Sequence, residues 1–339
     1  MMRNKVVSIV AMAGVSALAL SLAACSSDGS ADGGGDTTVF KVAFNQTESH
    51  PQFKVLEALG DRLSERTDGR YDIEVFPNET LGSQKDTIEL VQAGSIDFSM
   101  VSGSLLENFN PDFVVFNLPY VFDSQDHQRA VVNDPAVTGD LFASIEDKGI
   151  SVQAGFHGGI RNVYNSEKPI NTPADLAGMK IRVIESDTNL RMMELMGGSG
   201  TPMGQGEVYT AIQSGVLTGA ENNESIFSNL KHAEIAPYYS YTRHLMFPDY
   251  LIVNPKTMDK MSAEDQKVFA EELAVAIEDE AGLWAEEVSS SKAAAEAAGA
   301  KFNEVDADAF RTALAPLIEE KLATQTSKDL YDNVRAAAE

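Results

Sequence analysis

Two arginines in the middle of the chain are the residues best suited to hold a small anion. Arg182 lies in Lys180-Ile181-Arg182-Val183-Ile184, an alternating strand pattern that follows a helix start at Thr172-Pro173-Ala174-Asp175 and a turn at Gly178. A guanidinium at the end of a strand is a rigid fork that meets a carboxylate with two parallel hydrogen bonds, which a lysine cannot do. Arg161 follows Gly158-Gly159 and precedes a short strand, Asn162-Val163-Tyr164. The missing side chains at the glycines let backbone or ligand approach closely. Residue type alone leaves a second reading open for both arginines, as surface cations or partners in structural ion pairs.

Other chemistry is mostly absent. The sequence has no Walker loop, dinucleotide-binding glycine fingerprint, His-Glu-x-x-His or Gly-x-Ser-x-Gly. The five histidines, His50, His127, His157, His232 and His244, lack metal-ligand spacing and read as surface or hydrogen-bonded residues. His50 and His244 stand apart because they lie by expected strand ends, where a cleft would form. No metal or cofactor is expected. Paired carboxylates for sugar hydrolysis stay open, because spatial separation cannot be read from sequence.

The formal charge is −25, from 51 acidic and 26 basic residues among 339. Such a surface argues against nucleic acid or an anionic membrane as partner and repels anions at long range. Any anion site must then be a local cationic exception. At the start of the chain, Arg3 and Lys5 precede an apolar run from Val6 to Leu22 that closes on Leu22-Ala23-Ala24-Cys25. This reads as a lipoprotein signal over 1–24, with Cys25 as the lipidated first mature residue, against the alternative of an uncleaved membrane anchor. Cys25 is the only cysteine, so no disulfide framework or catalytic thiol is available. Residues 25–38 read as a flexible Gly, Ser and Asp tether.

About 300 residues remain, enough for two domains. A strand over Val39 to Phe44, a helix carrying Phe53, Leu56, Leu59 and Leu63, a strand over Tyr71 to Phe76, a helix over about Ser83 to Ala93 and a strand through Ile96 to Val101 follow in order. That βαβαβ alternation predicts an α/β fold with a mostly parallel sheet covered on both faces. Gln92-Ala93-Gly94-Ser95-Ile96-Asp97 is echoed by Gln213-Ser214-Gly215-Val216-Leu217-Thr218, which is consistent with two similar lobes and also with chance. From Ser262, capped with Asp265, helix-forming residues run without proline to about Gly299. They make one helix on the order of 50 Å long, at about 1.5 Å per residue, or two helices broken near Gly282.

Ordered motifs then carry a resemblance. They are Phe76-Pro77 with Leu81-Gly82; Phe116-Asn117-Leu118-Pro119-Tyr120-Val121-Phe122; Pro169-Ile170 with Thr172 to Val183; Thr201-Pro202-Met203 with Glu207-Val208-Tyr209; and Glu221-Asn222. The chain closely resembles the extracytoplasmic solute receptors of TRAP (tripartite ATP-independent periplasmic) transporters, from about Val39 to the final helices. The resemblance implies a binding protein and not an enzyme, with two α/β lobes in a periplasmic-binding-protein fold and a long helix across both. Lobe I would hold 39–157 and 248–286, and lobe II 158–247 and 287–339. It implies that Arg182 grips the substrate carboxylate, that Arg161 supports it and that Asn222 completes the carboxylate shell. The family's other pocket positions fall on Asn45, Gln84, Ser102 and Gln205. Asn223 and Glu221 then touch sugar hydroxyls or simply form a turn. Thr218-Gly219 stands where the family usually has Asp-Gly, which changes the hydrogen bonding of that turn.

Two arginines and an amide suit one carboxylate, and the neutral amides and hydroxyls suit a polyol. The segments His50-Pro51, Arg161-Asn162-Val163-Tyr164-Asn165 and Ala220-Glu221-Asn222-Asn223 resemble the sugar-acid receptors of the family. The expected ligand is a hexuronate such as glucuronate or galacturonate, or a related aldonate. The runner-up is a C4-dicarboxylate or 2-oxo acid; a second carboxylate would need His50 or His244 as its cation. The resemblance further implies hinge closure, delivery to TRAP membrane permease subunits, and an extracytoplasmic or periplasmic place on a lipid anchor at the outer face of the cytoplasmic membrane. An extracytoplasmic carbohydrate hydrolase and a receptor feeding a signalling partner are the other classes open.

Overall fold

Apolar alternation in Thr38–Ala43 (β1) and Tyr71–Phe76 (β2) places Phe40, Val42, Ile73 and Val75 on the buried faces of two parallel strands. The helix between them, Pro51–Arg66, buries Val55, Leu56, Leu59 and Leu63 at three- and four-residue spacing. Pro51 opens it, where its missing N–H costs nothing. The computed structural model describes Thr37–Ala338. Cys25, the expected signal segment and the tether up to residue 36 lie outside the described residues. Two tether residues prove to belong to the fold: Thr38 opens β1, and Thr37 Oγ1 donates to Gly69 O at 2.8 Å.

The other strands are β3 (Phe98–Ser102), β4 (Ser151–Asn165), β5 (Lys180–Val183), β6 (Ser199–Pro202), β7 (Gly219–Asn222), β8 (Tyr238–Val253) and β9 (Lys301–Glu304). One sheet runs β2-β1-β3-β8-β4-β7-β5-β6, with β9 beside β8. The expected parallel pairing holds toward both ends, where β1 joins β2 and β3 and where β5 joins β6 and β7. The middle is antiparallel, because β4 and β8, 15 and 16 residues long, run against each other and against β7 and β3. The short strand expected at Asn162-Val163-Tyr164 is therefore the end of a long one, and Arg161 lies inside it. The helix expected from Thr172 is a single 3-10 turn, Pro173–Leu176.

Read from either edge, the strand order is equivalent: β2, β1, β3, β8 from one side and β6, β5, β7, β4 from the other. The echoed segments at Gly94 and Gly215 precede β3 and β7, which hold matching places in that order. The helix Ala263–Ala297 is unbroken at Gly282, and Ser262 caps it by accepting from Asp265 N. Its Glu272 pairs with Arg62 and Arg66 on the helix Pro51–Arg66 at 2.7 and 2.6 Å. Further along, Glu287 accepts from Ser225 and Asn229 on the helix Glu224–Asn229 at 2.7 and 2.9 Å. One rigid rod thus touches elements from both ends of the sheet. No helix of the described residues is long and apolar enough to cross a membrane.

Candidate functional site

Register alone brings two groups of strand ends together. β3 ends with Ser102 opposite Asp249 of β8, and β7 ends with Asn222 opposite Asn162 of β4. Between these points the β4–β8 ladder slips, from His157 opposite Pro248 to Ile160 opposite Met246. The slip accommodates Gly158 and Gly159, and Gly159 takes φ +81°. A β-carbon on Gly159 would lie 2.4 Å from Asn223 Nδ2, so only glycine lets that amide pass. Asn223 Nδ2 donates to Gly158 O at 2.9 Å, and Asn223 Oδ1 caps the helix Glu224–Asn229 by accepting from Ile226 N at 2.9 Å.

At this junction lies a cavity. Carboxyl-terminal strand ends and the loops after them supply its walls, the usual place for ligands in α/β sheets. From one side come Asn45 after β1, His50 at the start of the helix Pro51–Arg66, Gln84 at the start of the helix Gln84–Gln92, and Ser102 of β3. From the other come Arg161 of β4, Arg182 of β5, Gln205 beyond β6, Asn222 of β7 and Asn223. Nine of the ten expected ligand-binding positions thus line one space.

The arginines differ. Arg161 is clamped onto Glu221: Nε donates to Oε2, Nη2 donates to Oε1 and to the Glu221 carbonyl, each at 2.6 Å, and Nη1 donates to Asn222 Oδ1 at 3.0 Å. The Phe247 ring lies 5.0 Å from its guanidinium carbon. The ion-pair reading holds for Arg161, and Glu221 serves that pair. Burial opposes the charge of Glu221, but Arg161 and His244 outweigh it and hold the pKa down at about 2. His244 sits behind the pair, its Nε2 3.6 Å from Glu221 Oε2 and its Nδ1 2.9 Å from Thr242 Oγ1, and it does not line the cavity.

Arg182 has no such partner. It is 5% exposed, and its Nε and Nη1 donate to Met203 O at 2.9 Å and to Gln205 Oε1 at 3.2 Å. Neither acceptor carries charge, and among the described residues no carboxylate pairs with it within 4.0 Å. Burial, and then the neighbouring charge of Arg161, push its pKa below the usual guanidinium value. A buried cation in that condition is stabilised by any anion that reaches it. Gln205 Oε1 also accepts from Asn222 Nδ2 at 3.2 Å, so Gln205 and Asn222 link the two arginines and hold them apart.

His50 faces the cavity as a neutral ring. Burial, helped by Lys54 and His157, lowers its pKa to about 3, and its Nδ1 accepts from Gln52 N at 3.3 Å. It offers no positive charge. Six wall residues were not among the expected ligand contacts: Gln46, Gly158, Ile184, Ile226, Phe247 and Asp249. Asp249 interrupts the apolar run Leu245-Met246-Phe247-Pro248-Asp249-Tyr250-Leu251-Ile252-Val253, and a lone acid in a strand of that kind is the signal that marks it. Among the described residues no group of three or more His, Cys, Asp or Glu side chains is placed to hold a metal ion.

The profile of DctP, bacterial extracellular solute-binding protein, family 7, matches residues 42–325. A TRAP periplasmic solute-binding protein from Anaerococcus prevotii, crystallised with bound alpha/beta D-glucuronate, is 39% identical. It superposes with a TM-score of 0.86, covering 89% of this chain and 98% of that one. A TRAP periplasmic solute-binding protein from Xanthobacter autotrophicus with bound beta-D-galacturonate is 33% identical, with a TM-score of 0.83 over 88% of this chain and 99% of that one. A solute-binding protein of Chromohalobacter salexigens is 35% identical over 274 residues, 80% of this chain and 81% of the relative.

Proposed function

The chain belongs to the DctP family of bacterial extracellular solute-binding proteins, the receptors of TRAP transporters, and on that footing we propose that it binds one hexuronate such as D-glucuronate or D-galacturonate. The observation that carries the reading is Arg182, a buried guanidinium with two uncharged partners, opening onto a cavity whose other walls include six side-chain amides and the hydroxyl of Ser102. The carboxylate docks on Arg182, with Asn222 and the free Nη1 proton of Arg161 completing its shell. The sugar hydroxyls then face Asn45, Gln84, Ser102, Gln205 and Asn223. The glucuronate and galacturonate in the similar crystal structures support this choice of ligand. A C4-dicarboxylate fits less well, because His50 is neutral and His244 lies behind Glu221.

In this reading the chain works as two lobes, 39–157 with 248–286 and 158–247 with 287–339, hinged at the β4–β8 crossing. Each lobe supplies one wall of the cavity, so ligand bound to one wall gains its remaining contacts only on closure and shifts the open–closed equilibrium. Cys25 anchors the receptor by a lipid on the outer face of the membrane, near the permease that takes the ligand. Mass spectrometry of membrane-extracted protein tests the anchor: a diacylated Cys25 at the N-terminus supports it, and an unmodified or retained leader contradicts it.

Thermal shifts against hexuronates, aldonates, C4-dicarboxylates and 2-oxo acids test the ligand, since a compound that binds only the folded state raises the melting temperature. A rise with glucuronate or galacturonate is expected. A rise with succinate or malate alone would overturn the reading.

A further inference from the structure

Asp249 has no role in gripping a carboxylate, yet it lines the same cavity as Arg182. It stands on β8 opposite Ser102, with Phe156 of β4 on its other side. Its Oδ2 accepts from Gln52 Nε2 at 2.9 Å, and Gln52 is held in turn by donating to His157 O at 3.1 Å. A carboxylate has about four acceptor sites, so one bond from Gln52 leaves capacity to spare. Gly158 keeps the approach open: a β-carbon there would fall 2.8 Å from Phe247 O and 3.4 Å from Asp249 Oδ2. Nearby, Gln46 Oε1 is a buried acceptor and Gln205 Nε2 a buried donor, each without a partner among the described residues. The wall therefore offers acceptors where hydroxyl protons would arrive, and an acid where a second anion would have to sit.

We propose that Asp249 is a specificity-determining residue, accepting hydroxyl protons of the bound sugar acid and excluding ligands that carry a second carboxylate. The proposal rests on the hexuronate reading of the cavity. A hydroxyl meeting Asp249 gains a charge-assisted hydrogen bond. Burial raises the pKa of Asp249, and the Gln52 bond and the charge of Arg161 oppose that rise; ionised, it meets a second carboxylate with a like charge in a poorly solvated space, and the neutral ring of His50 supplies no compensation. One end of the cavity is thus built for an anion and the other against it.

The test compares D-glucuronate with D-glucarate, in which a second carboxylate replaces the carbonyl carbon at the far end of the same skeleton. Calorimetric titration of the wild-type protein should show glucuronate bound at least about a hundredfold more tightly. Asp249→Asn keeps size and the Gln52 contact, and should weaken glucuronate by about tenfold, the worth of one charged hydrogen bond, while bringing the two ligands within about tenfold of each other. Asp249→Glu keeps the charge and should still exclude glucarate; melting curves establish that both variants fold. A wild type that binds glucuronate, with a preference left within about twofold by Asp249→Asn, overturns the proposal alone. So does an Asp249→Glu variant that accepts glucarate. A wild type that binds no hexuronate overturns the reading beneath it as well.

Discussion

Arg161 and Glu221 are locked together by three side-chain and backbone bonds across neighbouring strands, and both are buried. The pair occupies most of the donors of Arg161, whereas Arg182 has no carboxylate within 4.0 Å among the described residues. Two arginines of like chemistry thereby take different tasks. One anchors the architecture of the cavity, and the other, in the proposed reading, receives the carboxylate of the ligand.

Glu221→Gln should strip the counter-charge from Arg161 and cost about 3–5 kcal/mol, the usual penalty for breaking a buried ion pair on one side. The wild-type pair also has a pH signature. The folded pKa of Glu221 is depressed to about 2, so its contribution is present above the unfolded value, near 4.3–4.5, and is lost as pH falls from there toward 2. Melting temperatures from pH 6 to pH 2 should converge between wild type and variant. Parallel curves would mean that Glu221 carries no such charge in the fold.

Glu280 has the opposite sign. Its carboxyl accepts from Trp284 Nε1 at 2.6 Å and from His157 N at 3.3 Å, and burial pushes its pKa up to about 8. The folded state holds this proton more firmly than the unfolded chain. Its contribution is complete below about pH 4.5 and declines as pH rises toward 8. Glu280→Gln should therefore gain on the wild type across that window, by an amount on the order of 3–5 kcal/mol. Melts between pH 5 and 9 would refute this if the wild type gained on the variant instead.

Gly159→Ala should both destabilise the protein, by about 2 kcal/mol or more, and weaken ligand binding. The substitution forces an alanine into left-handed backbone and drives its β-carbon into Asn223, whose neighbour Asn222 lines the cavity. Denaturant melts and titration of one preparation measure both effects. Unchanged values would show that the β4 slip tolerates a side chain.

Much of this was legible in the residues, and for stated reasons. Thr38–Ala43, Tyr71–Phe76 and the helix Pro51–Arg66 follow from local alternation, helical spacing and the breakers around them. The β4–β8 slip was not, because Gly158-Gly159 read only as a place of close approach before a short strand; pairing with a distant strand makes them a slip within one long strand. Arg182 stood out from its strand as a candidate only, with its role implied by the family resemblance, and the contrast with Arg161 was not legible, since it depends on Glu221 one strand away. Asp249 was missed because its partner Gln52 lies 197 residues earlier. His244 was placed by a strand end, but strand-end position does not tell which side of Glu221 a ring will occupy.

The central claim is that Arg182 holds the carboxylate of a hexuronate. Its most direct test is calorimetric titration of D-glucuronate and D-galacturonate into the wild type and into Arg182→Ala. One-to-one saturation by the wild type is predicted, with about 2–5 kcal/mol of binding lost in the variant, the penalty for unpairing a buried charged contact. A variant that loses less than about 0.5 kcal/mol, within the range of surface contacts, would place the carboxylate elsewhere and contradict the account.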